Sequence, residues 1–210
     1  MLDVAILVGY GRDSLGLRSF SIQLLDKPLL VWVLESLKEI SKNPSIIVTS
    51  EGHAKAIMRS GIELPRDVSY TIVIDTYITF KKPNPLSGVY TALSSTIHDK
   101  VFVTMPNYPL VKASSVKKML TMMDDYDAVI VKLPSGEIEP LLGIYRTAVR
   151  GVLEGLLEKG VEDIFEALSN IRVKIIPSED ISEEPELEFA CIRSFNDTFN
   201  IGRKLASRVI

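Results

Sequence analysis

Cysteine is almost absent from this chain of 210 residues. The single thiol, Cys191, excludes an internal disulfide and any cysteine-cluster zinc site. That usage fits a reducing, cytoplasmic compartment. Histidine is nearly as scarce. His53 and His98 lie far apart, neither has a Cys or Glu at ligand spacing, and both read as surface helix residues. No apolar run approaches the ~20 residues that a bilayer span requires. The start, Met1-Leu2-Asp3, lacks the basic region of a signal peptide. An excess of positive charge is missing too. The net charge of −3 supplies no general pull toward nucleic acid or an anionic membrane, so neither is an expected partner. Internal repeats, heptads and low-complexity tracts do not occur.

Apolar material is plentiful, at 46% of residues, and the length suits one α/β domain over residues 1–210. Apolar runs alternate with helical patterns along most of the chain. Val4–Val8 is a strand that runs into the loop Gly9-Tyr10-Gly11-Arg12-Asp13-Ser14-Leu15-Gly16. A helix over Pro28–Ile40 follows, with Leu29, Trp32, Val33 and Leu37 as a core stripe. Ser45–Thr49 is a strand and His53–Ser60 a short helix. Tyr70–Asp75 is a strand closed by a carboxylate, and Leu86–Ile97 a helix with Pro85 near its start.

Lys100–Met105 and Asp127–Leu133 read as strands on either side of a helix over Lys112–Asp124. Glu139–Arg146 is a further strand, with helical stretches near 149–159 and 162–169. Arg172–Ile176 is a strand. Ser178–Glu186 reads as an acidic surface loop, with the acidic stretch Glu179–Glu188 as solvated, Leu187–Ile192 as a last strand and Asp197–Arg208 as a terminal helix. This order predicts a Rossmann-like α/β fold with a mostly parallel central sheet and helices on both faces. A buried strand that ends in glycines leaves backbone N–H groups at a sheet's carboxyl edge, where open α/β folds bind nucleotides.

Several segments, in order, resemble the molybdenum cofactor guanylyltransferases, a family of the wider Rossmann-like nucleotidyltransferases. Leu7–Ser19 is similar to the family's loop Leu-Ala-Gly-Gly-x-x-x-x-Arg-Met-Gly-x-x-Lys. Asp26-Lys27-Pro28-Leu29-Leu30 is similar to its Gly-Lys-Pro-Leu-Leu, and Asn84–Val89 to its Gly-Pro-Leu-x-Gly-Ile. Pro106-Asn107-Tyr108-Pro109 resembles its Cys-Asp-x-Pro turn, and Glu139-Pro140-Leu141 its Gln-Pro-Leu strand start. Cys191–Asp197 resembles its Asn-Ile-Asn-Thr-Pro-Glu-Asp. The resemblance implies transfer of GMP from GTP to molybdopterin, with Mg²⁺ as cofactor. A transferase for another phosphorylated acceptor and a catalytically inactive nucleotide-binding or regulatory homologue are the alternatives.

The departures fall on chemical positions. Tyr10 replaces the second loop glycine, Ser14 the signature arginine, Ser19 the signature lysine and Asn107 the metal aspartate. Cys191 and Arg193 stand at the two asparagines. The matching positions imply nucleotide contacts at Leu7, Val8, Gly9, Gly11, Thr49, Asp75, Pro85 and Gly88, with Arg12 and Arg18 as nearby cations. Lys81 and Lys82 are further candidates for a phosphate. Catalytic and metal roles fall on Asp75 and Asn107, although Mg²⁺ favours anionic oxygen over the amide that Asn107 offers. Each position has a plainer reading. Gly9 and Gly11 also suit a tight turn, and Asp75 a strand-end turn or helix cap. Asp75, Pro85, Gly88 and Asn107 each follow a strand, so all are expected to share one cleft with the Gly9–Gly11 loop.

Overall fold

Strand β1, Leu2–Val8, is buried along its whole length. A strand with apolar side chains on both faces belongs inside a sheet covered on both sides. The computed structural model, which describes residues 1–10, 20–41, 43–63, 65–75 and 84–207, places it there.

A two-strand ribbon follows, β2 (Gln23–Leu24) and β3 (Lys27–Pro28), which leads into helix α1 (Leu29–Leu37). Next come β4 (Ser45–Thr49), α2 (Glu51–Arg59), β5 (Tyr70–Ile74), α3 (Pro85–Ser95), β6 (Lys100–Thr104) and α4 (Ala113–Thr121). The remainder holds β7 (Ala128–Lys132), β8 (Ile138–Arg146), α5 (Arg150–Glu158), α6 (Ile164–Leu168), β9 (Val173–Pro177), α7 (Pro185–Glu188) and α8 (Phe195–Ala206). Among the described residues no helix is long and apolar enough to cross a membrane.

The sheet order is β5-β4-β1-β6-β8-β7-β9. Strands β5, β4, β1 and β6 are mutually parallel, and β7 is parallel to β9. Strand β8 runs antiparallel to both of its neighbours. The chain leaves β1 toward β4 and β5, then returns to β6 on β1's other side. That reversal is a switch point, where the loops after two neighbouring strands part and leave a crevice.

Local chemistry sets the helix starts. Asn84 caps α3 by accepting from the Ser87 N–H at 2.8 Å, and Pro85 occupies the first turn, where no donor is needed. Ser50 caps α2 and Ser194 caps α8. Gly88 lets α3 lie close on the sheet, because a Cβ there would stand 2.6 Å from Leu7 Cδ2 and 2.8 Å from the Tyr10 ring.

The acidic stretch departs from the sequence reading. Its expected last strand, Leu187–Ile192, is instead the short helix α7 followed by irregular chain. Pro185 in the first turn, with Glu186 and Glu188 beside it, favours a helical turn over a ladder. Nor is the stretch wholly solvated. Ser178, Ile181 and Glu188 are buried, and Glu188 accepts from the Lys112 N–H at 3.0 Å and the Ser182 hydroxyl at 2.7 Å.

The histidines also differ from expectation. His53 is buried in α2, with Nδ1 2.8 Å from Ser50 Oγ and its ring against Gly9. Burial holds its imidazole below the usual histidine pKa. His98 lies after α3, where it bonds Asp3 at 2.9 Å. Trp32 is half-buried, packs against the apolar cluster of Ile22, Leu24, Leu29 and Ile192, and donates to the Leu24 carbonyl at 2.8 Å.

Candidate active site at the strand ends

Four parallel strands deliver their carboxyl ends to one edge. Strand β1 ends at Gly9-Tyr10, β4 at Thr49-Ser50, β5 at Asp75 and β6 at Met105–Asn107. Gly9 has φ +94°, and a Cβ there would stand 2.6 Å from the His53 ring. Both facts require glycine for the turn itself. Leu7 and Val8 are fully buried, main chain included, and pair with Val48 and Thr49 of β4, so neither presents a surface to a ligand. Thr49 is buried as well, and its hydroxyl donates to the Val8 carbonyl at 2.9 Å.

Asp75 is 2% exposed, and hydroxyls surround it. Tyr10 and Ser87 both donate to Oδ2 at 2.7 Å, and Thr91 donates to Oδ1 at 3.2 Å. A buried carboxylate is costly unless hydrogen-bonded, and these donors offset that cost. The cluster ties the end of β1 to α3. Burial, together with the charge of Asp75, pushes the Tyr10 phenol well above its usual range.

Asn107 is 3% exposed and clamps the chain after α7. Its Nδ2 donates to the Ile192 carbonyl at 2.7 Å, and its backbone carbonyl accepts from the Ile192 N–H at 2.8 Å. The Asp75 oxygens are thus engaged by hydroxyls, and Asn107 is neutral and tied to backbone. This donor set does not fit a resident Mg²⁺, which requires anionic oxygen in near-octahedral array. Among the described residues no group of three or more His, Cys, Asp and Glu is placed to hold a metal.

A cavity of about 390 Å³ opens beside the switch point. Its walls bring together Tyr10, Pro85 and Asn107 from the expected set. Asp75 and Gly88 stand behind, in contact with Tyr10. Gly11, Arg12, Asp13, Ser14, Arg18 and Ser19 lie outside the described residues, as do Lys81 and Lys82.

The far wall comes from β8 and was not assigned a role in the sequence. The pairing of β7 with β8 jumps from Ile130–Gly143 to Val131–Glu139, so Pro140, Leu141 and Leu142 form an irregularity. Proline has no N–H for a ladder, which makes such a break natural there. Glu139 thereby joins the cavity wall. The Tyr108 hydroxyl donates to its Oε2 at 2.8 Å and the Leu141 N–H to its Oε1 at 3.0 Å. Burial pushes the Glu139 carboxyl above the usual range, and these two hydrogen bonds pull it back in part. Cys191 also lines the cavity, with its thiol pushed up by burial. Arg193 bonds Glu137 at 3.0 Å across the rim. The signal for Glu139 was present in the sequence, as an acidic residue before proline in an otherwise apolar strand.

Known proteins match this chain over most of its length. The probable molybdenum cofactor guanylyltransferase of Carboxydothermus hydrogenoformans is 27% identical over 189 residues, covering 89% of this chain and 87% of that protein. The Pyrococcus furiosus protein of the same name is 24% identical over 206 residues, covering 97% and 93%. Among solved structures, molybdopterin-guanine dinucleotide biosynthesis protein A from Archaeoglobus fulgidus superposes with a TM-score of 0.76 at 23% identity, covering 99% of this chain and all of that one. That likeness supports the Rossmann-like nucleotidyltransferase fold. The family model for the MobA-like NTP transferase domain matches residues 20–172, and the chain belongs to that family.

Proposed function

We propose that this protein transfers GMP from GTP to molybdopterin. The observation that carries the reading is membership of the MobA-like NTP transferase family, joined to a cavity at the β1–β6 switch point. The names of the relatives supply donor and acceptor. In the reaction, an oxygen of the acceptor's phosphate monoester attacks the α-phosphorus of GTP. The bond from that phosphorus to the bridging oxygen breaks, and pyrophosphate leaves with the electron pair. The attacking monoester is already ionised near neutral pH, so the step needs no general base. The protein's task is to place the two phosphates in line and to offset their charge.

The chain's own residues contribute position. The Tyr10–Asp75–Ser87–Thr91 cluster fixes where the loop after β1 departs relative to α3. Phosphate charge falls to the cations that follow Tyr10 in sequence, Arg12 and Arg18, and to Lys81 and Lys82 before Asn84. Divalent metal enters as part of the substrate, as Mg²⁺–GTP, because the Asp75 carboxylate is engaged by the hydroxyls of Tyr10, Ser87 and Thr91 and Asn107 is neutral. Pyrophosphate release tests the reading. It is expected to require both molybdopterin and GTP and to fall sharply with ATP or CTP. Release that ignores molybdopterin counts against it.

A further inference from the structure

The cavity joins one firmly held carboxylate to aromatic and apolar walls. Glu139 has a single orientation, because both of its tethers are rigid. Tyr108 is fully buried and Leu141 is 3% exposed. Each carboxylate oxygen carries two lone pairs, so each can accept a second hydrogen bond in the same plane. The ring of Phe165, half exposed at the rim, supplies an aromatic surface, and the largely buried Tyr10 lines the cavity as well. Met105 and Ile164 add apolar wall.

The sign of the charge selects the class of ligand. Among the described lining residues the carboxylates are Glu137 and Glu139, and the single cation, Arg193, is bonded to Glu137. Such a wall repels phosphate and suits a neutral group that donates hydrogen bonds. Two parallel N–H donors on a flat ring meet a carboxylate as the fork of a guanidinium does.

We propose that this cavity takes a flat bicyclic ring by its 2-amino-4-oxopyrimidine edge, with Glu139 accepting from the amino group and the adjacent ring N–H. Guanine and pterins share that edge. The assignment rests on the guanylyl-transfer reading above, which brings one ring with GTP and the other with the acceptor. Glu139 is then a specificity residue for the ring and stands apart from the bond-breaking step.

Calorimetry with four uncharged probes tests this: pterin against lumazine, which has a carbonyl in place of the amino group, and guanosine against inosine, which lacks it. The wild-type protein is expected to prefer the amino-bearing member of one pair by about tenfold or more, because losing a charge-assisted donor leaves Glu139 without its partner. The pair that shows the preference identifies the source: pterin for the acceptor, guanosine for the nucleotide. Glu139→Gln is expected to erase the preference. Phe165→Ala, a substitution at a half-exposed position that does not threaten the fold, is expected to weaken all binding while the preference persists.

No amino-group preference in either pair overturns the proposal, and so does a preference that survives in folded Glu139→Gln. Should Glu139→Gln fail to fold, the wild-type preference and the Phe165→Ala result decide. GMP transfer measured on the same samples separates the two readings. Transfer without ring preference overturns the cavity assignment alone, and ring preference without transfer overturns the reaction alone.

Discussion

Tyr10 stands at a position where the resembling loop has glycine, and its side chain changes what the neighbouring residues do. Its ring packs on Gly88 and its hydroxyl bonds Asp75 at 2.7 Å. Removing only that hydroxyl, with Tyr10→Phe, takes one donor from a buried carboxylate. The expected loss is about 1–3 kcal/mol of stability, read as a lower urea midpoint at unchanged slope. Gly9→Ala is expected to cost about 2 kcal/mol or more, because it combines a strained φ with a clash against the His53 ring. A midpoint within error of wild type would show that the turn relaxes freely. At this scale the sequence was legible in part. Gly9 and Asp75 stood out as residues that end strands. That Asp75 is surrounded by three hydroxyls, and Asn107 is spent on Ile192, depended on partners 12 to 85 residues away in the chain.

Strands and helices were easier to read than their irregularities. Parallel strands buried on both faces appear as short apolar runs, so β1, β4, β6 and β7 stand out from composition alone. The break in β8 is a pairing event and leaves only Pro140 as a trace. The segment over Leu187–Ile192 passes for a strand in sequence, but Pro185 starts the short helix α7, which takes in Leu187 and the buried Glu188, and the chain after it is irregular.

The lower end of β1 carries a further buried carboxylate. Asp3 accepts from Ser41 and Asn43 in the connection between α1 and β4, and from Thr96 and His98 in the connection between α3 and β6. Burial alone would raise its pKa, but these hydrogen bonds outweigh it and hold the carboxyl at about 2. The folded value lies below the unfolded one, so Asp3 stabilises the fold above about pH 4. That contribution, about 2 kcal/mol, is lost as the pH falls toward 2. Asp3→Asn is expected to flatten this part of the profile of urea midpoint against pH. An unchanged slope between pH 4 and pH 2 would place the acid sensitivity elsewhere.

For the molecule as a whole, chain order and sheet order determine where chemistry can occur. The return of the chain to β6 beside β1 opens a crevice between their following loops, and the cavity lies there, with Tyr10 on one side and Met105 and Asn107 on the other. Alternating apolar and helical segments foretold a cleft at the strands' carboxyl edge, whereas the strand order that opens it beside β6 is seen only in the sheet. The charge of the cavity was not foretold either, because Glu137, Glu139 and Arg193 meet only after the β7–β8 hairpin and the chain before α8 come together. The central claim is guanylyl transfer, and product analysis tests it most directly. The purified protein, incubated with Mg²⁺, GTP and molybdopterin, is predicted to yield the molybdopterin guanine dinucleotide by mass spectrometry, with one pyrophosphate released per dinucleotide formed. Folded protein that binds both substrates yet forms no dinucleotide, or that forms it equally well from CTP or ATP, would contradict the account.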